Sequence, residues 1–111
     1  MTIKRLSCFE IGGIQVVNMR NCPDFGTRDG DIRIDRATLW GNPHVMRDAS
    51  DAERDRVCDA YQKSLEAALL AEPSTLSGIM HARRLGCWCA PKRCHGETLA
   101  RAIVRARDTE G

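Results

Sequence analysis

The segment LGCWCAPKRCHG, residues 85–96, places three of the chain's six cysteines and one of its three histidines in a short run. Residues 85–89 read as a strand despite Gly86. In a strand, positions 85, 87 and 89 share one face, so Cys87 and Cys89 are neighbours and Trp88 is expected to pack on the opposite side. Ala90, Pro91, Lys92 and Arg93 form a tight loop. Cys94 and His95 then stand at the mouth of a helix predicted over 96–107, with Leu99, Ile103 and Ala106 facing inward. Strand, loop and helix N-terminus in that order point to an α/β fold.

The rest of the chain agrees with that class. IQVVNM, residues 14–19, is short and β-branched, follows Gly12-Gly13 and precedes Asn21-Cys22-Pro23; it reads as a buried strand. Residues 31–36 alternate polar and apolar, as a half-exposed strand does. In WGNPH, residues 40–44, Gly41 is expected to allow positive φ, and Pro43 forces Asn42 out of helical geometry. Ser50-Asp51-Ala52-Glu53 has the form of a capping box in which Glu53 reaches back to Ser50. The helix it opens carries Val57, Tyr61, Leu65, Ala68 and Leu69 on one stripe, with Cys58 at its border as core, and stops before Pro73. A shorter helix is predicted over 75–82 and a fourth strand over 2–9. The expectation is a compact single α/β domain over residues 1–111, with a small Rossmann-like sheet of three or four strands and flanking helices. The pattern leaves strand order open.

Composition excludes several classes. Hydrophobic residues make up 42% and charged residues 29% of the chain, unlike a disordered protein. No uncharged stretch approaches the length needed to cross a bilayer, and MTIKRLSCFEIGG lacks the apolar run of a signal peptide. A cytoplasmic, reducing location without a membrane partner is therefore expected, with thiols or thiolate ligands in place of disulfides. The net charge of +2 is unevenly spread: residues 83–107 hold seven basic side chains and one acid, Glu97. That asymmetry suggests an anionic ligand near the C-terminal third, with Arg101, Arg105 and Arg107 on a solvated helix face. Sequence-specific DNA reading is not expected from so small a charge without a reader motif.

For Cys89, Cys94 and His95 three readings compete: a ligand-binding or catalytic thiol centre, a metal site, and plain packing; Cys87 alone reads as core. In the leading reading, a nucleotide-like or other phosphate-bearing small molecule rests its phosphate on the helix start near Gly96, helped by Lys92 or Arg93 and by Arg20. Cys94 or Cys89 is the reactive thiol, His95 a general acid or base, and Asn18 and Asn42 orient the ligand. The alternative is a non-enzymatic, zinc-stabilised interaction module held by Cys87, Cys89, Cys94 and His95, with the more distant Cys8 or Cys22 as substitutes for the fourth ligand. His44 could join the site from its turn, although a turn role is favoured; His81 reads as an exposed helix-end residue.

VVNMR (16–20), WGNPH (40–44) and LGCWCAPKRCHGETLA (85–100) together resemble the domain of unknown function 4326, a family of bacterial and phage proteins. The resemblance covers residues 15–102. His44, Arg93 and Glu97 stand where that family typically has Phe, Pro and Asp. A more local likeness, confined to the Cys…Cys-His stretch before a helix, is to the domain of unknown function 488, and implies a Rossmann-like strand–loop–helix over 85–107. The resemblance brings no established activity. Occurrence in phages suggests nucleotide or nucleic-acid metabolism as its context.

Overall fold

The computed structural model describes residues 8–89 and 92–110. Most of the strand expected over 2–9, as well as Ala90 and Pro91, lies outside the described residues. Strands β1 (Cys8–Ile11) and β2 (Ile14–Asn18) form an antiparallel hairpin. Gly12 and Gly13 connect them with φ of +56° and +87°, the left-handed pair that a two-residue type I′ turn demands. Strand β3 (Asp31–Arg33), helix α1 (Asp51–Ala71), strand β4 (Arg84–Cys87) and helix α2 (His95–Glu110) follow. The sheet order is β1-β2-β4-β3, with β4 parallel to both of its neighbours. The class is α/β, as the sequence indicates. The sheet is mixed, and only its three parallel strands bear on the Rossmann-like expectation.

Alternation assigns the two faces. Val16 and Leu85 are in register and fully buried, packed with Ile14, Ile34, Leu99 and Ile103. Helix α2 lies close on this face because Gly96 has no side chain: a Cβ there would stand 2.7 Å from Val16 Cγ1 and 2.8 Å from Ile34 Cδ1. On the other face Gly86 lies beneath Phe25 and Met19, so the loop after β2 covers the sheet where helix does not.

Several expectations are corrected. Strand β2 stops at Asn18, whose side chain accepts the Arg20 N–H at 3.0 Å and turns Met19–Asn21 into a 3-10 turn. The helix expected over 75–82 is a 3-10 segment, Pro73–Ile79, capped by the Glu72 carboxylate. Gly41 is not among the positive-φ residues; it is required because a Cβ would stand 2.6 Å from the Asp35 carbonyl. Ser50 does cap α1, accepting the Glu53 N–H at 3.2 Å. Glu53 does not return the bond, because the guanidiniums of Arg47 and Arg56 hold its carboxylate; Asp48 takes the Ser50 N–H at 2.8 Å instead. Ala68 is exposed, so the buried stripe is Val57, Tyr61 and Leu65. Trp88 is 51% exposed and not packed on the sheet. Arg107 is not a solvated side chain: it donates to the carbonyls of Met80 at 2.7 Å and Ala82 at 2.6 Å, tying the end of α2 to the approach of β4. Arg101 and Arg105 are exposed, as expected.

Candidate functional site

The carboxyl end of β4 delivers Cys87 and Cys89 to the start of α2, where Cys94 and His95 stand. The sulfurs of Cys87, Cys89 and Cys94 all lie within 4.8 Å of one another, with the Cys87 and Cys94 sulfurs 2.9 Å apart. None of the five cysteines with described side chains is in a disulfide. Cys94 occupies the N-cap position of α2, and its sulfur accepts the Gly96 N–H at 3.4 Å. A cysteine there does what a serine cap does, with a softer acceptor.

Three thiols crowded together do not ionise alike. Cys89, the least buried, has its thiolate favoured by hydrogen bonds from the Cys87 and then the Cys94 thiol, and by the positive charge of Arg54; its pKa falls far below the usual thiol range. Cys94, 1% exposed, is pushed the other way by its hydrogen bonds to Cys87 first and then to Cys89, and by burial. Of these two, Cys89 is the thiol whose ionised form the surroundings favour.

His95 is also buried. Its Nε2 lies 2.6 Å from the Ile34 carbonyl oxygen, which can only accept, so Nε2 carries the proton and Nδ1 is bare in the neutral ring. Burial pushes its pKa down, and the edge-on contact with Tyr61, centroids 4.8 Å apart, fixes the plane. Nδ1 lies 3.6 Å from the Cys94 sulfur. His95 thus borders the sulfur cluster but does not join the group of three.

These residues form the floor of a cleft of about 350 Å³, walled by Trp88, Met46, Val57 and Cys58. Asp35 positions Trp88 at the rim by accepting its indole N–H at 2.8 Å, while Arg33 holds the same carboxylate at 2.7 Å. Cys58 faces the cleft, yet burial pushes its thiol pKa up, so it stays protonated.

The ligand residues read from the sequence are not all gathered here. Asn42 and Arg93 line the cleft; Asn18, Arg20, Lys92 and Gly96 do not. Asn42 donates to the Val57 carbonyl at 2.9 Å and accepts the His44 N–H at 2.9 Å, so its amide also holds the WGNPH turn against α1. Arg93 pairs with Asp55 at 3.0 Å and Asp59 at 2.7 Å. Asn18 donates to the Trp88 carbonyl at 3.2 Å. Arg20 and Lys92 are exposed, and Gly96 is buried against the sheet. His44 lines the cleft, 3.3 Å from the Ser64 hydroxyl, whereas His81 is exposed away from it. Cys22 belongs to another cluster, with Asp24 and Arg84; the side chain of Cys8 lies outside the described residues.

Sequence reasoning missed Arg54, Asp35 and the rim role of Trp88. Arg54 was detectable: it lies one turn before Cys58, so a cation sits on the edge of the buried stripe of α1.

The comparisons agree with the family resemblance. A 33% identical relative over 79 residues is the uncharacterized 12.4 kDa protein in the nrdA-td intergenic region of Enterobacteria phage T4; the match covers 69% of this chain and 70% of that protein. No solved structure matches. The profile of the domain of unknown function DUF4326 matches residues 17–105, and the chain belongs to that family.

Proposed function

We propose that this chain binds a zinc ion through Cys87, Cys89 and Cys94 and presents the ion to a small molecule in the adjoining cleft. The observation that carries the reading is the convergence of three sulfurs within 4.8 Å on the floor of a cavity. Thiolates about 2.3 Å from a common zinc ion stand about 3.8 Å apart in tetrahedral geometry. The cluster has that scale, and the 2.9 Å pair of Cys87 and Cys94 would open to admit the ion. Soft sulfur donors select zinc over calcium or magnesium. Three protein ligands leave a fourth position, the pattern of zinc sites that act on a bound molecule. His95, anchored through Nε2 on Ile34, orients Cys94 from outside the ligand set.

Metal analysis of protein purified without added zinc is the test. About one equivalent is expected, absent in Cys89→Ser and retained in Cys58→Ser; less than about half an equivalent in the unaltered chain overturns the reading.

A metal-free reading is favoured by one observation: Cys89 is the most accessible of the three thiols, and the hydrogen bonds of Cys87 and Cys94 favour its thiolate. The reactive thiol is then Cys89 in place of Cys94, with His95 as the neighbouring base. Alkylation by iodoacetamide near pH 6 should modify Cys89 first; preferential modification of Cys94 rejects this assignment. For an occupant bearing phosphate, as in a nucleotide, the support lies in the basic lining of the cleft, and less in the start of α2.

A further inference from the structure

We propose that Arg54 anchors the oxyanion group, carboxylate or phosphate, of a small molecule bound in the cleft. This goes beyond the zinc reading and does not depend on it.

Arg54 lies in the first turn of α1, partly buried, and faces the same cavity as the three thiols. Its Nε is fully buried and has no hydrogen-bond partner among the described residues. The guanidinium's recorded bond, from Nη1 to the Arg93 carbonyl, is long at 3.5 Å. An unanswered donor on a buried cation is unfavourable, and folded proteins rarely keep one without a use.

The surrounding acids sharpen the point. Glu53 and Asp55 flank Arg54 in sequence, and neither pairs with it. Glu53 is held by Arg47 and Arg56, and Asp55 by Arg93. Asp35, the one acid lining the cleft among the described residues, is committed to Arg33 and Trp88. Three arginines, Arg36, Arg54 and Arg93, line the cleft against that single aspartate. Even three thiolates on a divalent metal, which bring one net negative charge, leave this lining positive. Among the described residues no carboxylate pairs with Arg54: its charge acts on the Cys89 thiolate, and its Nε–H is left without a partner.

Guanidinium chemistry then defines the ligand. Its planar fork of N–H donors matches two oxygens of a carboxylate or phosphate at once. The cleft volume of about 350 Å³ is at the small end for ligand sites, which favours a compact metabolite over a dinucleotide. Apolar walls at Trp88, Met46 and Val57 suit a body that is not itself highly charged.

The test is a titration followed by NMR at the arginine Nε–Hε signals, with inorganic phosphate in one arm and acetate in the other. The Arg54 signal should shift saturably in at least one arm, while exposed Arg101 and Arg105 move only weakly. The arm that saturates identifies phosphate or carboxylate. Arg54→Lys keeps charge and fold but loses the fork, and should weaken binding about tenfold or more; Arg54→Gln should abolish it, with thermal melting as the folding control. A signal that moves no more than those of Arg101 and Arg105 in either arm, or unchanged affinity in Arg54→Lys, overturns the proposal. Zinc content measured on the same samples keeps the outcomes apart: anion binding without zinc rejects only the metal reading, and zinc without anion binding rejects only this one.

Discussion

Strand β4 begins and ends in polar clusters of opposite character. At its start, Arg84 is 6% exposed and its guanidinium is fully answered. It donates to Asp31 at 2.6 and 2.7 Å and to Asp24 and Cys22 at 3.3 and 3.2 Å, and it lies 5.6 Å from the centre of the Phe25 ring. At its end, Cys87 meets two further thiols, and Arg54, which lines the same cavity, keeps a buried Nε–H without a partner among the described residues. Burial does not separate the two ends. Completeness of bonding does: the saturated cluster pins the 19–31 loop over one face of the sheet and has little left for a ligand. The other cluster keeps donors in reserve, which is poor for stability and good for binding.

The largest test of this contrast is Arg84→Met. It strands the Asp31 carboxylate, 2% exposed, and should cost about 3–5 kcal/mol in denaturant unfolding. A loss below about 1 kcal/mol would mean that the saturated end is not structural. The pH dependence has a definite sign. Arg84's hydrogen bonds hold the Asp31 carboxyl far below its ordinary pKa, so the native state favours the ionised form. The resulting stability is complete above about pH 4 and declines as pH falls toward the depressed value. Arg84→Met should flatten that acid limb.

Next in size is Cys94→Ser, compared with Cys58→Ser. With zinc at 100–1,000 times its dissociation constant, binding stabilises the native state by about 3–4 kcal/mol. Cys94→Ser should lose most of that while keeping a hydroxyl cap for α2, and chelator should then have little further effect on its melting. Cys58→Ser buries a hydroxyl at a cost of about 1–3 kcal/mol and should remain chelator-sensitive. Equal chelator sensitivity in both variants would remove Cys94 from the ligand set.

Gly96→Ala should have the smallest effect of the three, about 1–3 kcal/mol from overpacking against Val16 and Ile34. Because Gly96 adjoins the Cys94 cap, the variant should also lower metal affinity. Unchanged affinity would show that the sulfur cluster tolerates movement of α2.

Much of this was legible in the sequence because it was local. Gly12-Gly13 marked the start of the strand at Ile14, Ser50 a cap, and residues 85–96 a strand running into a helix. That Cys87, Cys89 and Cys94 gather was part of one reading open there, although that reading also counted His95, which the cluster leaves out. What escaped depended on partners distant in the chain. Trp88 was placed by its sequence neighbours as a packed residue, but Asp35 draws it to the rim. Glu53 has the spacing of a reciprocal cap, but Arg47 and Arg56 compete for it. Arg84 looked like one of many basic residues, because its partners Asp31, at the start of β3, and Asp24, in the loop before it, are remote in the chain. Arg54 could be read as a cation at the edge of the buried stripe, but its unmet donor is visible only once every neighbour has been accounted for.

The central place of β4 also governs when the fold can form. Gln15 and Asp31 both pair with Arg84, so two early segments wait for one late one. During synthesis only the β1–β2 hairpin can close locally; the parallel ladder must await emergence of the segment around Arg84. Such long loop closures slow folding, and until then the unpaired flank of β2, with Val16 and Val17, is open to other strands. The assembly of the sheet and of the sulfur cluster is therefore a single late event, since the strand that completes one carries Cys87 into the other.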